Sequence, residues 1–147
     1  MNVSADAPYL DMAYKLVRYD GRNVLKLSMG KETWTGEKQV YRARQPDGRF
    51  DGDVIALREE APPAAAREPL LREVMRGGNM LDAHPSLAAI REHCAAQLRG
   101  LPEEVRRLRH AGAYPVRYSE RLRALQQSLE AEAMAREVTP SRPVVGG

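Results

Sequence analysis

The side chains best suited to chemistry in this sequence are Lys26, Ser28, Gly30 and Lys31, within the stretch Lys-Leu-Ser-Met-Gly-Lys. Two ammonium groups beside a hydroxyl and a flexible glycine can hold a phosphate, as point charges rather than as bidentate forks. The same pattern also describes a strand end with solvated lysines and a turn glycine, or a subunit or domain contact. These four residues are therefore the phosphate or interface candidates. No catalytic constellation accompanies them. There is no glycine-rich phosphate loop followed by a lysine and a hydroxyl residue, and there are no paired histidines at helical spacing. The serines lack the small-residue elbow that exposes a nucleophile. One cysteine and three dispersed histidines do not supply a metal site. Neither a catalytic residue nor a metal ligand is assigned.

Other chemistry-bearing residues have simpler readings. Arg106, Arg107, Arg109 and His110 form the densest basic cluster, but they also end an amphipathic helix. Cys94, next to His93 on a helix with an apolar stripe, reads as a small core residue. His84 reads as a loop residue and Trp34 as ordinary packing.

The elements that must position these groups follow from turn signals and periodicity. Tyr14–Tyr19 and Arg22–Ser28 are rich in β-formers and flank Asp20-Gly21, the signature of a tight antiparallel hairpin. A third strand is expected at Gln39–Arg42, after Thr35-Gly36 turns the chain, and downstream segments are expected to cover this region. Pro46-Asp47-Gly48 and Asp51-Gly52 mark turns before the apolar run Asp53–Leu57. Arg58–Arg67, with Pro62 and Pro63, reads as an exposed connector. Glu68–Arg76 and Met80–Asp82 are read as a further hairpin across Gly77-Gly78-Asn79.

From Pro85 the pattern turns helical. Ser86 is an N-cap, and Leu87, Ile90, Cys94 and Leu98 share one face up to Gly100. Pro102 opens a second helix and Ser119 caps a third, which carries Leu122, Leu125 and Leu129. The fold class is α+β: a small, mostly antiparallel sheet of four to six short strands followed by three C-terminal helices. By region, residues 1–13 are an extended lead-in, 14–82 a strand-rich half, 83–137 a helical half packing on it, and 138–147 a disordered tail.

Composition sets the class. With 147 residues, 43% hydrophobic and 29% charged, the chain is one ordinary globular domain or a piece of one. The single cysteine excludes an internal disulfide and fits a reducing cytoplasm. No apolar run reaches membrane-span length, so no membrane partner is expected. The charge of +3 arises from 23 basic and 20 acidic residues, interspersed as on a mixed solvated surface. Aromatics make up 5% and do not interleave with the basic residues, so nucleic acid is not an expected partner.

Read in order, the chain carries YKLV, a DG turn, KLS-x-GK, a glycine-containing turn and KQVYR. It continues with DGRF, DVIAL, EPLLREVMRGG, PSLAAIR, LPEEVRRLR, YPV and SERLRALQQSL. This succession, from about Val3 to Leu129, resembles the C-terminal region of nicotinate phosphoribosyltransferases. Members couple ATP hydrolysis to transfer of a phosphoribosyl group onto nicotinic acid, giving nicotinate mononucleotide for NAD synthesis. Their fold joins an irregular α/β barrel, which carries most of the catalytic machinery, to a sheet-rich domain built from segments before and after it. They commonly work as dimers with shared active sites.

The resemblance implies that this chain is the post-barrel part of that flanking domain. It also implies that ATP and phosphoribosyl pyrophosphate belong to the complete enzyme, with no cofactor bound by this chain. In the family the matching segment follows a phosphate-binding loop bearing glycine and threonine; here Met1 stands in its place. The expected partner is a barrel-bearing segment or a full-length homologue, within a dimer, and the chain is expected to be inactive without it. None of the three histidines lies in a motif matching the family's phosphorylated one. The alternative is a stand-alone interaction module that binds and modulates the full-length enzyme.

Overall fold

The computed structural model describes residues 15–26, 33–82 and 85–138. They fall into two compact units. One contains the described residues up to Gly36 and from Leu125 onward; the other is Glu37–Ala124. Segments distant in sequence share the first unit.

In that first unit, β1 (Arg18–Tyr19) and β2 (Arg22–Asn23) form an antiparallel hairpin in which Tyr19 opposes Arg22. Asp20 and Gly21 take φ of 46° and 71°, the paired positive values of the expected tight turn. Val17 O then accepts from the backbone N–H groups of Val24 and Gly36, each at 3.1 Å. Helix α3 (Glu120–Val138) supplies Gln126, whose amide is built into the turn region. Thr35 N donates to Gln126 Oε1 at 3.0 Å, and Gln126 Nε2 donates to Glu130 Oε1 at 2.8 Å. Thr35 and Gln126 are both buried, so the amide replaces the water that Thr35 N would otherwise need.

The second unit holds a four-stranded sheet in the order β5-β3-β4-β8, formed by β3 (Lys38–Arg44), β4 (Phe50–Leu57), β5 (Ala66–Pro69) and β8 (Val116–Tyr118). Strands β3 and β4 run antiparallel through the Pro46-Asp47-Gly48 turn, while β4 and β8 run parallel. The core lies among Tyr41, Ala43, Ala56 and Ala66, with Val54 packed against it. A separate hairpin, β6 (Met75–Arg76) with β7 (Asn79–Met80), turns at Gly77-Gly78. Helices α1 (Leu87–Gly100) and α2 (Glu103–Arg106) follow.

The α+β class and the three helices stand, with corrections in detail. Among the described residues eight short strands form three sheets rather than one sheet of four to six, and one pairing is parallel. The segment around Gln39–Arg42 is the longer β3 and pairs away from the β1–β2 hairpin. Strand β5 emerges from the end of the proline-rich connector, where an edge position tolerates Pro69. Strand β8 is an element that the sequence reading did not include.

Helix α1 departs furthest from expectation. Ser86 Oγ caps it by accepting from Ala89 N at 3.2 Å, as the sequence indicates. Its apolar stripe, however, does not meet the sheet. No residue of α1 is buried, and Leu87, Ile90, Cys94 and Leu98 are all exposed. A different face touches the sheet, through Gln97 and Gly100. Cys94 is therefore not a core residue in this chain. Gly100 also has a reason other than helix termination: a Cβ there would lie 2.5 Å from the Phe50 ring. Gly100→Ala gains at most about 1 kcal/mol of helix propensity. Overpacking against the buried ring costs about 1–3 kcal/mol. Net destabilisation is expected in urea titration, and a more stable variant would show that Phe50 yields freely.

Candidate functional site

Of the four candidate phosphate or interface residues, Lys26 is described and exposed. Ser28, Gly30 and Lys31 lie outside the described residues, as does His84. Arg106, Arg107, Arg109 and His110 all stand exposed around the end of α2, and His93 is exposed on α1. Among the described residues, no three His, Cys, Asp or Glu side chains converge as a metal site requires.

The structure instead gathers a polar cluster that residue patterns alone did not single out. Arg42 on β3 lies directly opposite Asp53 on β4. Its Nε donates to Asp53 Oδ1 and its Nη2 to Asp53 Oδ2, both at 2.9 Å, a bidentate pair. Arg42 Nη1 reaches across to Gln97 Oε1 of α1 at 2.8 Å. The guanidinium also lies 4.2 Å from the Phe50 ring centroid and 5.9 Å from that of Tyr114. Tyr114 Oη donates to Asp53 Oδ1 at 3.0 Å. The pair's side chains are only 15% and 11% exposed, so water screens it weakly. A sequence signal for it existed: a tight turn at Pro46-Asp47-Gly48 places Arg42 across from Asp53, an opposite-charge cross-strand pair.

Two clefts open on the described surface. One, of about 510 Å³, lies in the first unit between the hairpin and α3 and is lined by Val24, Leu25, Leu125 and Leu129, with Arg22 and Arg136 at its edge. Glu132 sits 4.0 Å from Arg136 there. The other, of about 230 Å³, lies in the second unit beside β3, where Lys38, Arg58 and Arg72 line it with Glu73. Gln39 builds its wall by bracketing the backbone of Leu71, donating to its carbonyl and accepting from its N–H, each at 2.9 Å. Burial lowers the Lys38 ammonium below its ordinary value. This cleft is cationic and built from three segments; the larger one is lined by apolar and polar side chains in equal measure.

Comparison with known proteins agrees with this architecture. The nicotinate phosphoribosyltransferase C-terminal domain family matches residues 64–126. The nicotinate phosphoribosyltransferase pncB2 of Mycobacterium tuberculosis is 40% identical over 146 residues, which is 98% of this chain. The chain belongs to the nicotinate phosphoribosyltransferase family, as its C-terminal portion. The human nicotinate phosphoribosyltransferase is 35% identical over 144 residues, covering 83% of this chain and 27% of that protein. The crystal structure of human nicotinic acid phosphoribosyltransferase superposes with a TM-score of 0.70 at 34% identity, covering 80% of this chain and 26% of the human one. The chain spans 30% of the length of the mycobacterial relative. No helix among the described residues is long and apolar enough to cross a membrane.

The cluster around Arg42 yields two expectations. Arg42→Met leaves Asp53 buried without its cation and is expected to cost about 2–4 kcal/mol, read by urea denaturation. A loss under about 0.5 kcal/mol, the range of ordinary surface substitutions, would show that the pair is replaceable. Burial first, and then the hydrogen bond to Asp53, raise the Tyr114 phenol above its ordinary value. The unfolded phenol ionises near about pH 10, before the folded one. Stability from this group is therefore complete below that pH and declines above it. Tyr114→Phe is expected to cost about 1 kcal/mol at neutral pH and to flatten the alkaline decline. Parallel pH profiles for the variant and the parent would contradict this.

Proposed function

We propose that this chain works as the C-terminal portion of a nicotinate phosphoribosyltransferase, and that the transfer requires a barrel-bearing segment beside it. Identity of 40% running over 98% of the chain carries this reading. In the proposed assembly, the barrel holds nicotinate, phosphoribosyl pyrophosphate and ATP and performs the chemistry. This chain contributes a folded flank held rigid by the Arg42–Asp53 pair. The assembly is a dimer working in the cytoplasm. Lys26, Ser28, Gly30 and Lys31 form the part of the chain whose chemistry suits a substrate phosphate.

Co-expression tests the proposal. The chain is produced together with the part of the mycobacterial relative that lacks the matching region, and nicotinate mononucleotide formation is measured. Activity is expected from the pair and from neither component alone. A soluble pair that elutes together yet forms no product would overturn the enzymatic reading and leave a binding module. In an active pair, replacing Lys26 and Lys31 with alanine is expected to raise the KM for phosphoribosyl pyrophosphate. Weaker assembly at unchanged KM would make them contact residues instead.

A further inference from the structure

The apolar surface of the second unit is unevenly placed. Of the thirteen large hydrophobic side chains that stand exposed among the described residues, eight fall between Leu71 and Leu98. Within that stretch, the β6–β7 hairpin pairs Met75 with Met80, both exposed, and every described residue from Leu71 to Asp82 is exposed. A two-stranded hairpin is marginal in water without a hydrophobic face covered by something else. Helix α1 carries the same imbalance: its N-cap is hydrogen-bonded and its stripe is regular, yet Leu87, Ile90 and Leu98 are 65%, 50% and 54% exposed. The helix meets its own sheet through Gln97 and Gly100, so its sheet contact does not account for the stripe. The stripe positions Leu87, Ile90, Cys94 and Leu98 are uncharged; Arg91, four residues after Leu87, borders the stripe, and Glu92 lies on the opposite side of the helix. An uncharged centre with a mixed polar rim is the composition of a buried contact.

We infer that Leu71–Leu98 is the surface on which this chain seats the remainder of a nicotinate phosphoribosyltransferase, with the α1 stripe as its anchor. The inference rests on the function proposed above. The occupant follows from length: the fold recurs at a TM-score of 0.70 in a protein of which it covers only 26%. The same region makes up 30% of the mycobacterial relative. A domain embedded in so much additional chain has a large partner at hand for an apolar face. A second copy would have to supply a self-complementary patch.

The full chain is tested against a tagged mycobacterial relative lacking the matching region, by co-expression and then by titration of the purified components. A triple variant, Leu87→Ser with Ile90→Ser and Leu98→Ser, removes the anchor at positions already half or more exposed, so its thermal midpoint serves as the folding control. Met134→Ser, equally exposed on α3, is the control for surface polarity. The triple variant is expected to bind about tenfold or more weakly while Met134→Ser binds like the parent. Binding by a folded triple variant within about twofold of the parent would overturn the assigned surface and leave the functional reading intact. If the triple variant unfolds, Ile90→Gln alone replaces it under the same criteria. If the parent chain does not bind at all, the occupant and the functional reading both fail. Sedimentation that shows the parent dimeric and the triple variant monomeric would in that case assign the face to a second copy.

Discussion

The bidentate pairing of Arg42 with Asp53 is the point at which four segments of the second unit meet. Arg42 comes from β3 and Asp53 from β4; Gln97 comes from α1, and Tyr114 from the approach to β8. Each acceptor and donor in the group is matched, so burying two charges is compensated inside the cluster. Phe50 closes it from the apolar side, itself 2% exposed and stacked under both Arg42 and Arg44. Gly100 then brings α1 down onto the same ring. The buried apolar side chains of this unit are Tyr41, Ala43, Phe50, Ala56, Leu57, Ala66 and Leu122. The electrostatic cluster adds order beside them and holds α1 through Gln97.

That arrangement makes a scaffold held by polar contacts between its elements. What the fold provides is a rigid platform with a well-capped helix whose stripe is left available. In a family whose members are more than three times this length, that is the character of a component shaped by its neighbour.

Much of the architecture was legible because local chemistry dictated it. Asp20-Gly21 demanded positive φ at two successive positions, and Ser86 and Ser119 were good caps with helical stripes behind them; all of these formed as read. The missed elements lacked local signals. Strand β8 has three residues and exists because β4 offers it a free edge; its parallel register comes from tertiary pairing rather than from Val116-Arg117-Tyr118 itself. Helical periodicity located the α1 stripe but could not say which surface would cover it, so assigning it to the nearest sheet was natural and mistaken. The charged cluster was hidden for a related reason. Arg42 and Asp53 look like solvated strand residues until the turn between them fixes their register.

Gln126 has a further consequence, one concerning time. Its amide accepts from Thr35 across a sequence separation of 91, so the first unit closes only when α3 is available. Synthesis runs from the N-terminus, and Glu37–Ala124 can assemble from contacts that lie wholly within itself. The β1–β2 hairpin has no such recourse. Its partner helix is synthesised well after it, and the entropy of closing so long a loop must be met before the buried amide returns anything. The second unit can thus be complete while the hairpin of the first still waits for its partner helix.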